Sequence, residues 1–232
     1  MSYILIGKPC YNIYADALKK YGFTPIPLEA DTRLNATVCT HADTLIFSLG
    51  DTFVANTNYV RTLPSFIKER ITETTDTPYG AYPTDTAFNA LVLGTRLFAR
   101  LDSLSGAVRT VAEKNGLSLV NVRQGYARCS TLALGTANAA VTADAGMAHT
   151  LCANCVDVLE IEHGHVALDG CEYGFIGGAS FTDEANHRVF FFGNLASHPN
   201  SARMEAFLAR HGYEVISLDG TLTDFGGGIM IE

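Results

Sequence analysis

The sequence predicts an α/β fold assembled from repeated strand–helix–strand units in a radial or stacked array. Three observations predict it. A helix that stops at glycine and runs into a short extended segment occurs as "ALKKYGFTPIPL", again as "VAEKNGLSLVNV", and again as "LARHGYEVISL". The stops, Gly22, Gly116 and Gly212, lie 94 and 96 residues apart, and other strand and helix segments fill each gap. A unit of about half that length, roughly 40 to 50 residues, follows. The last segment is a hairpin that lacks a helix, and the first has a helix but no leading hairpin. Joined, they complete one unit, for five in all.

The elements follow in order. An apolar strand is expected over 3–6. A helix over 14–21 places Tyr14, Ala17, Leu18 and Tyr21 at helical spacing. The extended run 23–28 alternates Pro25 and Pro27 with Thr24 and Ile26, which restricts it to an edge or a turn. Strands at 44–48 and 51–54 precede a helix over 59–71. A strand at 91–93, a helix over 103–115 and a strand at 117–122 come next. Strands at 131–134 and 139–143, a short helix over 145–152 and a strand at 156–161 follow. A strand at 189–192, a helix over 200–211 and a strand at 214–218 lead to a final hairpin, 221–224 with 228–231. The polar stretch 69–77 reads as a loop within the array, so residues 1–232 are expected to form one domain.

Composition narrows the function. Hydrophobic residues make up 47% and charged residues 17% of the 232, which is a folded composition. A net charge of −8 and the lack of a basic segment argue against nucleic acid and anionic membrane surfaces. No apolar run approaches the ~20 residues that span a bilayer, and the start does not read as a signal peptide. A cytoplasmic location is the expectation. Six irregularly spaced cysteines in a chain this long read as free thiols.

Several motifs carry chemistry. "YPTDTAFNAL" sets Asp85 and Asn89 among apolar residues, where Asp85 holds a cation in a cleft or caps a turn. "VRQGYARCST" packs Arg123, Gln124, Tyr126, Cys129 and Ser130 behind a strand. Arginines near Cys129 would favour a thiolate nucleophile; the alternative is a packed structural cysteine. Asp144 opens a helix, as a cap or as part of a ligand site. His163 and His165 alternate by two and would share a face on a strand, with one serving as a general base; the alternative is a pair on a surface loop. Tyr173, Gly177 and Gly178 follow in "YGFIGG", where glycine lets backbone approach a ligand. The run has neither the spacing nor the lysine of a phosphate-binding loop. "HTLCANC" offers a His and two Cys but no second pair, so neither a metal nor any other cofactor is expected.

"YPTDTAFNAL", "VRQGYARCS", "VTADAGMA", "DVLEIEHGHVALDGCEYGFIGG", "FFGNL" and the glycine-rich end together resemble a group of uncharacterised bacterial, mostly clostridial, proteins of the guanidino-modifying-enzyme (pentein) fold. The resemblance implies a five-bladed α/β propeller with pseudo-fivefold repeats, its first blade closed by both ends of the sequence. Related arginine deiminases, agmatine deiminases and dimethylarginine hydrolases share a C-terminal "GGGxHC"-like segment whose cysteine attacks a guanidinium carbon. This chain reads "GGGIMIE" there, with Met230 and Ile231 at the His and Cys positions. Isoleucine cannot be a nucleophile, so the usual chemistry is not expected.

In a fivefold array equivalent positions converge on the centre. Cys129, Asp85, Asn89, Gly177 and Gly178 are therefore expected to line a central pocket. The leading expectation is a protein that binds a small polar, amidino- or guanidino-like ligand there. The residues expected to contact it are Asp85, Asn89, Arg123, Gln124, Tyr126, Ser130, Asp144, Tyr173, Gly177 and Gly178. One alternative is an enzyme of C–N hydrolase or amidinotransferase type, with Cys129 as a relocated nucleophile and His163 or His165 as base. Another is a non-catalytic interaction protein.

Overall fold

The computed structural model describes residues 2–76 and 78–231. Met1, Thr77 and Glu232 lie outside them, and so do the ends of the polar stretch and of the glycine-rich tail read above. Strand β1 (Ser2–Gly7) leads straight into helix α1 (Lys8–Lys20) and the chain returns as β2 (Phe23–Leu28). Pro9 sits in the first turn of α1, where its missing N–H costs nothing. Gly22 takes φ +89°, a conformation that glycine adopts without penalty, and turns the chain into β2.

The next units repeat the plan. Helix α2 (Ala42–Leu45), β3 (Ile46–Leu49), β4 (Thr52–Asn56), single turns α3 (Thr57–Val60) and α4 (Ser65–Lys68), and β5 (Ile71–Thr74) make the second. Strands β6 (Leu91–Leu93) and β7 (Arg96–Ala99), helix α5 (Gly106–Lys114) and β8 (Ser118–Asn121) make the third. Strands β9 (Thr131–Leu134) and β10 (Ala139–Thr142), helix α6 (Ala145–Ala153) and β11 (Asp157–Glu160) make the fourth. Strands β12 (Ser180–Asp183) and β13 (Arg188–Phe191), helix α7 (Ser201–Arg210) and β14 (Glu214–Ser217) make the fifth. Strand β15 (Ile229–Ile231) then pairs antiparallel with β1.

Five three-stranded mixed sheets result among the described residues. In each, the first strand is antiparallel to the middle one, and a crossover makes the third strand parallel to it. The prolines of β2 fall on an edge strand, where a missing donor is tolerated.

Period-two geometry closes the ring. Ile4 and Ile6 pack on Phe181, Phe190 and Phe192 of the fifth unit, while Leu5 between them packs on Phe53 and Ala55 of the second. Phe47 and Val54 face the third unit, whose Phe98 turns to the fourth. Val141 and Leu132 of the fourth meet Val189 and Phe191 of the fifth. Each middle strand is thus buried on both faces, which accounts for apolar runs such as "RVFFF". Five apolar wedges, one between each pair of successive sheets, form the core. Among the described residues no helix is long and apolar enough to cross a membrane.

Some expectations need correction. The segment 59–71 is two separate helical turns; Pro64 breaks it, and Ile71 already belongs to β5. Strand β5 also runs through the polar stretch read as a loop. Its partly buried Ile71 and Thr74 flank exposed Thr72 and Glu73, so no period-two pattern stands out beside four threonines. Residues 221–224 form no hairpin with the last strand; one isolated parallel bridge joins Thr223 to Ala167. Residues 42–45 are a helical turn, so β3 starts at Ile46.

Candidate functional site

The first strand of every sheet is preceded by a turn, and the turns interlock. Asn89 Oδ1 accepts the backbone N–H of Arg128 (2.8 Å) and Cys129 (3.3 Å). The Cys129 carbonyl accepts Gly178 N–H at 2.9 Å. The Gly178 carbonyl accepts the N–H of Phe225 and Gly227, at 3.0 and 2.7 Å. The Gly226 carbonyl accepts Asp43 N–H at 3.4 Å. The turns before β6, β9, β12, β15 and β3 are therefore joined in succession. Close approach demands glycine here: a Cβ on Gly178 would lie 1.9 Å from Asp224 Oδ1, and one on Gly177 would lie 2.4–2.7 Å from three carbonyl oxygens.

At the centre stands Cys129. Its thiol donates to Asp43 Oδ2 at 2.7 Å, and Asn89 Nδ2 donates to the sulfur at 3.2 Å. His41, Asp43 and Cys129 are all buried, and one donor atom of each lies within 4.8 Å of the others. His41 Nδ1 has no hydrogen-bond partner among the described residues and lies 3.8 Å from Asp224 Oδ1. Asp224 is pinned by the N–H groups of Phe175 and Gly226, both at 2.9 Å. Burial pushes the Cys129 thiol far up, and the charges of Asp43 and Asp224 push it the same way. Burial also raises Asp43, against the pull of Arg128 and His41. Of the two readings of Cys129, activation by arginine has no direct contact behind it, and burial fits the packed cysteine. Arg123 is exposed, and Arg128 turns its guanidinium to the Gly228 carbonyl at 3.0 Å.

Above this cluster is a cavity of about 320 Å³. His41, Cys129 and Asp224 line its floor side; Tyr126, Tyr173, Phe175 and Glu172 line it as well. Asn35, Thr37, Val38, Leu168 and Cys171 complete it, with no Lys or Arg in the lining among the described residues. Tyr126 is held by Asp85 Oδ2 at 2.5 Å. Burial raises Asp85, and its Oδ1 has no hydrogen-bond partner among the described residues.

The structure thus gathers Cys129, Tyr126 and Tyr173 on the cavity, with Asp85, Asn89 and Gly178 directly behind its lining. Ser130 is buried and donates to the Ala127 carbonyl. Arg123, Gln124 and Asp144 instead line a separate hollow of about 580 Å³ with Tyr82 and His149. There Gln124 donates to Asp144, which caps α6 through Met147 N–H. Residues 162–166 form a loop and not a strand. His163 is exposed and rests on the Tyr173 ring at 5.5 Å; His165 is exposed and faces Glu162 and His198. The imidazole beside Cys129 is His41. Sequence reading missed His41, Asp43 and Asp224. Their signal is positional, since Asp43 and Asp224 occupy the turns before β3 and β15 as Cys129 does before β9. Ile231 is buried in the wedge between the first and second sheets.

A family model described as "Family of unknown function (DUF6873)" matches residues 5–230, and the chain belongs to that family. No curated protein matches the chain. Solved structures match over its length. Dimethylarginine dimethylaminohydrolase as an adduct with 4-chloro-2-hydroxymethylpyridine is 12% identical, with TM-score 0.61 and 99% of each chain covered. The enzyme of Pseudomonas aeruginosa, as a mutant complexed with citrulline, is 13% identical, with TM-score 0.55 and 99% and 98% covered. A mutant adduct with S-methyl-L-thiocitrulline is 13% identical, with TM-score 0.57 and 99% of each covered. At such identity the likeness shows the fold: a pentein-type α/β propeller of five blades, the first built from both ends of the sequence.

Proposed function

We propose that this member of the DUF6873 family binds a small cation of amidino or guanidino type in the cavity over Cys129. One observation carries the reading. Glu172 and Asp224 line the cavity, Asp43 touches the Cys129 sulfur from below, and among the described residues no Lys or Arg lines it. Tyr126, Tyr173 and Phe175 add aromatic faces that attract a planar cation. A carboxylate pair and a ring suit a flat, delocalised charge better than a phosphate or a sugar. Solved structures of similar fold carry citrulline and S-methyl-L-thiocitrulline, which supports looking for a ligand of that size class. The test is a thermal-shift screen of amidines and guanidines, repeated on Tyr173→Ala. A rise in melting temperature for the parent, reduced in the variant, supports the reading; no rise across the panel overturns it.

A second reading makes Cys129 a nucleophile toward that cation. It rests on the 2.7 Å contact, which gives the thiol proton a ready acceptor in Asp43. A bound cation offsets the two carboxylates that, after burial, hold the thiol protonated. The sulfur would then bond to the amidinium carbon, an amine would leave with a proton, and water would release the remaining group from sulfur. Cys129→Ser that binds the cation but releases no amine, beside a parent that does, supports it. A parent that binds and never releases amine overturns it and leaves the binding reading standing.

A further inference from the structure

We propose that His41, Asp43 and Cys129 form a seat for one thiophilic divalent cation of the zinc type, with its fourth position open to the cavity. The donor set is one imidazole nitrogen, one carboxylate oxygen and one sulfur, three ligands that zinc takes together. The second observation is independent of the cluster's composition. His41 is 3% exposed, and its Nδ1 points to no hydrogen-bond partner among the described residues. A buried polar nitrogen without a hydrogen-bond partner is costly, and an ion held through that nitrogen would satisfy it.

The geometry needs one adjustment. With zinc bonds of about 2.3 Å to sulfur and about 2.1 Å to oxygen, tetrahedral ligands stand roughly 3.6 Å apart. Cys129 Sγ and Asp43 Oδ2 are 2.7 Å apart because a proton lies between them. The ion replaces that proton: the S–H bond breaks, a metal–sulfur bond forms, and the proton leaves to buffer. Two negative ligands then balance the ion's charge. Asn89, which donates to the sulfur at 3.2 Å, orients the thiolate from outside the ligand set. Asp224, 3.8 Å from His41 Nδ1, adds a charge that favours the cation. The motif "HTLCANC" is a different place. Its Cys152 and Cys155 are exposed and not part of the buried group.

This inference does not rest on the amidino-cation reading, and its test does not involve an organic ligand. The full chain is titrated with Co²⁺ under reducing conditions. One equivalent is expected to give a sulfur-to-cobalt charge-transfer band and the strong visible absorption of four-coordination, with release of one proton. Cys129→Ser should abolish the charge-transfer band, and His41→Ala should weaken binding by more than ~10-fold. Cys152→Ser with Cys155→Ser should change neither. Should the site variants fail to fold, ¹¹³Cd NMR of the unaltered chain decides: a shift typical of one sulfur ligand supports the site. A two-sulfur shift, a band that survives Cys129→Ser, or no sulfur–metal band at all overturns it.

Discussion

Cys129 and Asp43, 86 positions apart in sequence, meet in a thiol-to-carboxylate hydrogen bond of 2.7 Å. The contact exists because the turns before β3 and β9 face the same axis. Burial first, and then this neighbour, keep the cysteine at rest as a protonated thiol.

Alkylation should report that state. Burial, then Asp43 and Asp224, hold the thiol protonated at neutral pH. Cys152, Cys155 and Cys171 are exposed. At about pH 7, iodoacetamide should modify Cys129 at least ~10-fold more slowly than Cys171, by peptide mass mapping. A Cys129 that reacts first would contradict the assigned hydrogen bond.

Asp85 gives a pH dependence with a definite sign. Burial raises its folded pKa above the unfolded ~3.9. Between the two values the folded chain holds the extra proton, so stability falls as pH rises through that window. Asp85→Asn keeps an oxygen for the Tyr126 hydroxyl and carries no charge. Its thermal midpoint should equal or exceed the parent's at about pH 7.5, with the difference gone below about pH 4. A large loss at pH 7.5 would show that the ionised carboxylate is needed for folding.

Asp76 acts the other way. Its Oδ2 accepts from Ser105 Oγ at 2.7 Å and from Ala107 N–H at 3.3 Å, capping α5 from the second unit. The Ser105 hydrogen bond is the main cause holding its pKa below the ordinary value. That contribution is complete above the unfolded pKa and is lost as pH falls through the lower folded one. Asp76→Ala should cost about 1 kcal/mol at neutral pH, read as a shift in urea midpoint at unchanged slope.

Gly178 tests the interlocked turns. A methyl group there would overlap Asp224 Oδ1. Gly178→Ala should cost about 2–3 kcal/mol and displace Asp224 from the cavity. Wild-type stability in this variant would mean that the turns are looser than described.

Much of the fold was legible in sequence because it repeats. The glycine stops at 22, 116 and 212 each carry a positive φ, and the last strand does complete the first sheet. Strand β7 escaped notice because its four residues open with Arg96, and β12 because Ser180 and Thr182 read as loop. Cys129, Asn89, Asp85 and Tyr126 were legible as polar residues set in apolar turns. His41, Asp43 and Asp224 were not, since nothing local sets "THAD" or "TDF" apart from a helix cap. Their role arises only when sequence-distant turns converge. The pair His163 and His165 shows the converse, a conspicuous local pattern on an exposed loop.

A cavity lined by carboxylates and aromatic rings should select planar positive charge. Isothermal titration calorimetry of a guanidine against its neutral urea isostere, on the full chain at low ionic strength, tests it most directly. The guanidinium should bind at least ~10-fold more tightly, and added salt should weaken it. Equal affinity for the urea, or preference for it, would mean that charge does not govern binding in this cavity.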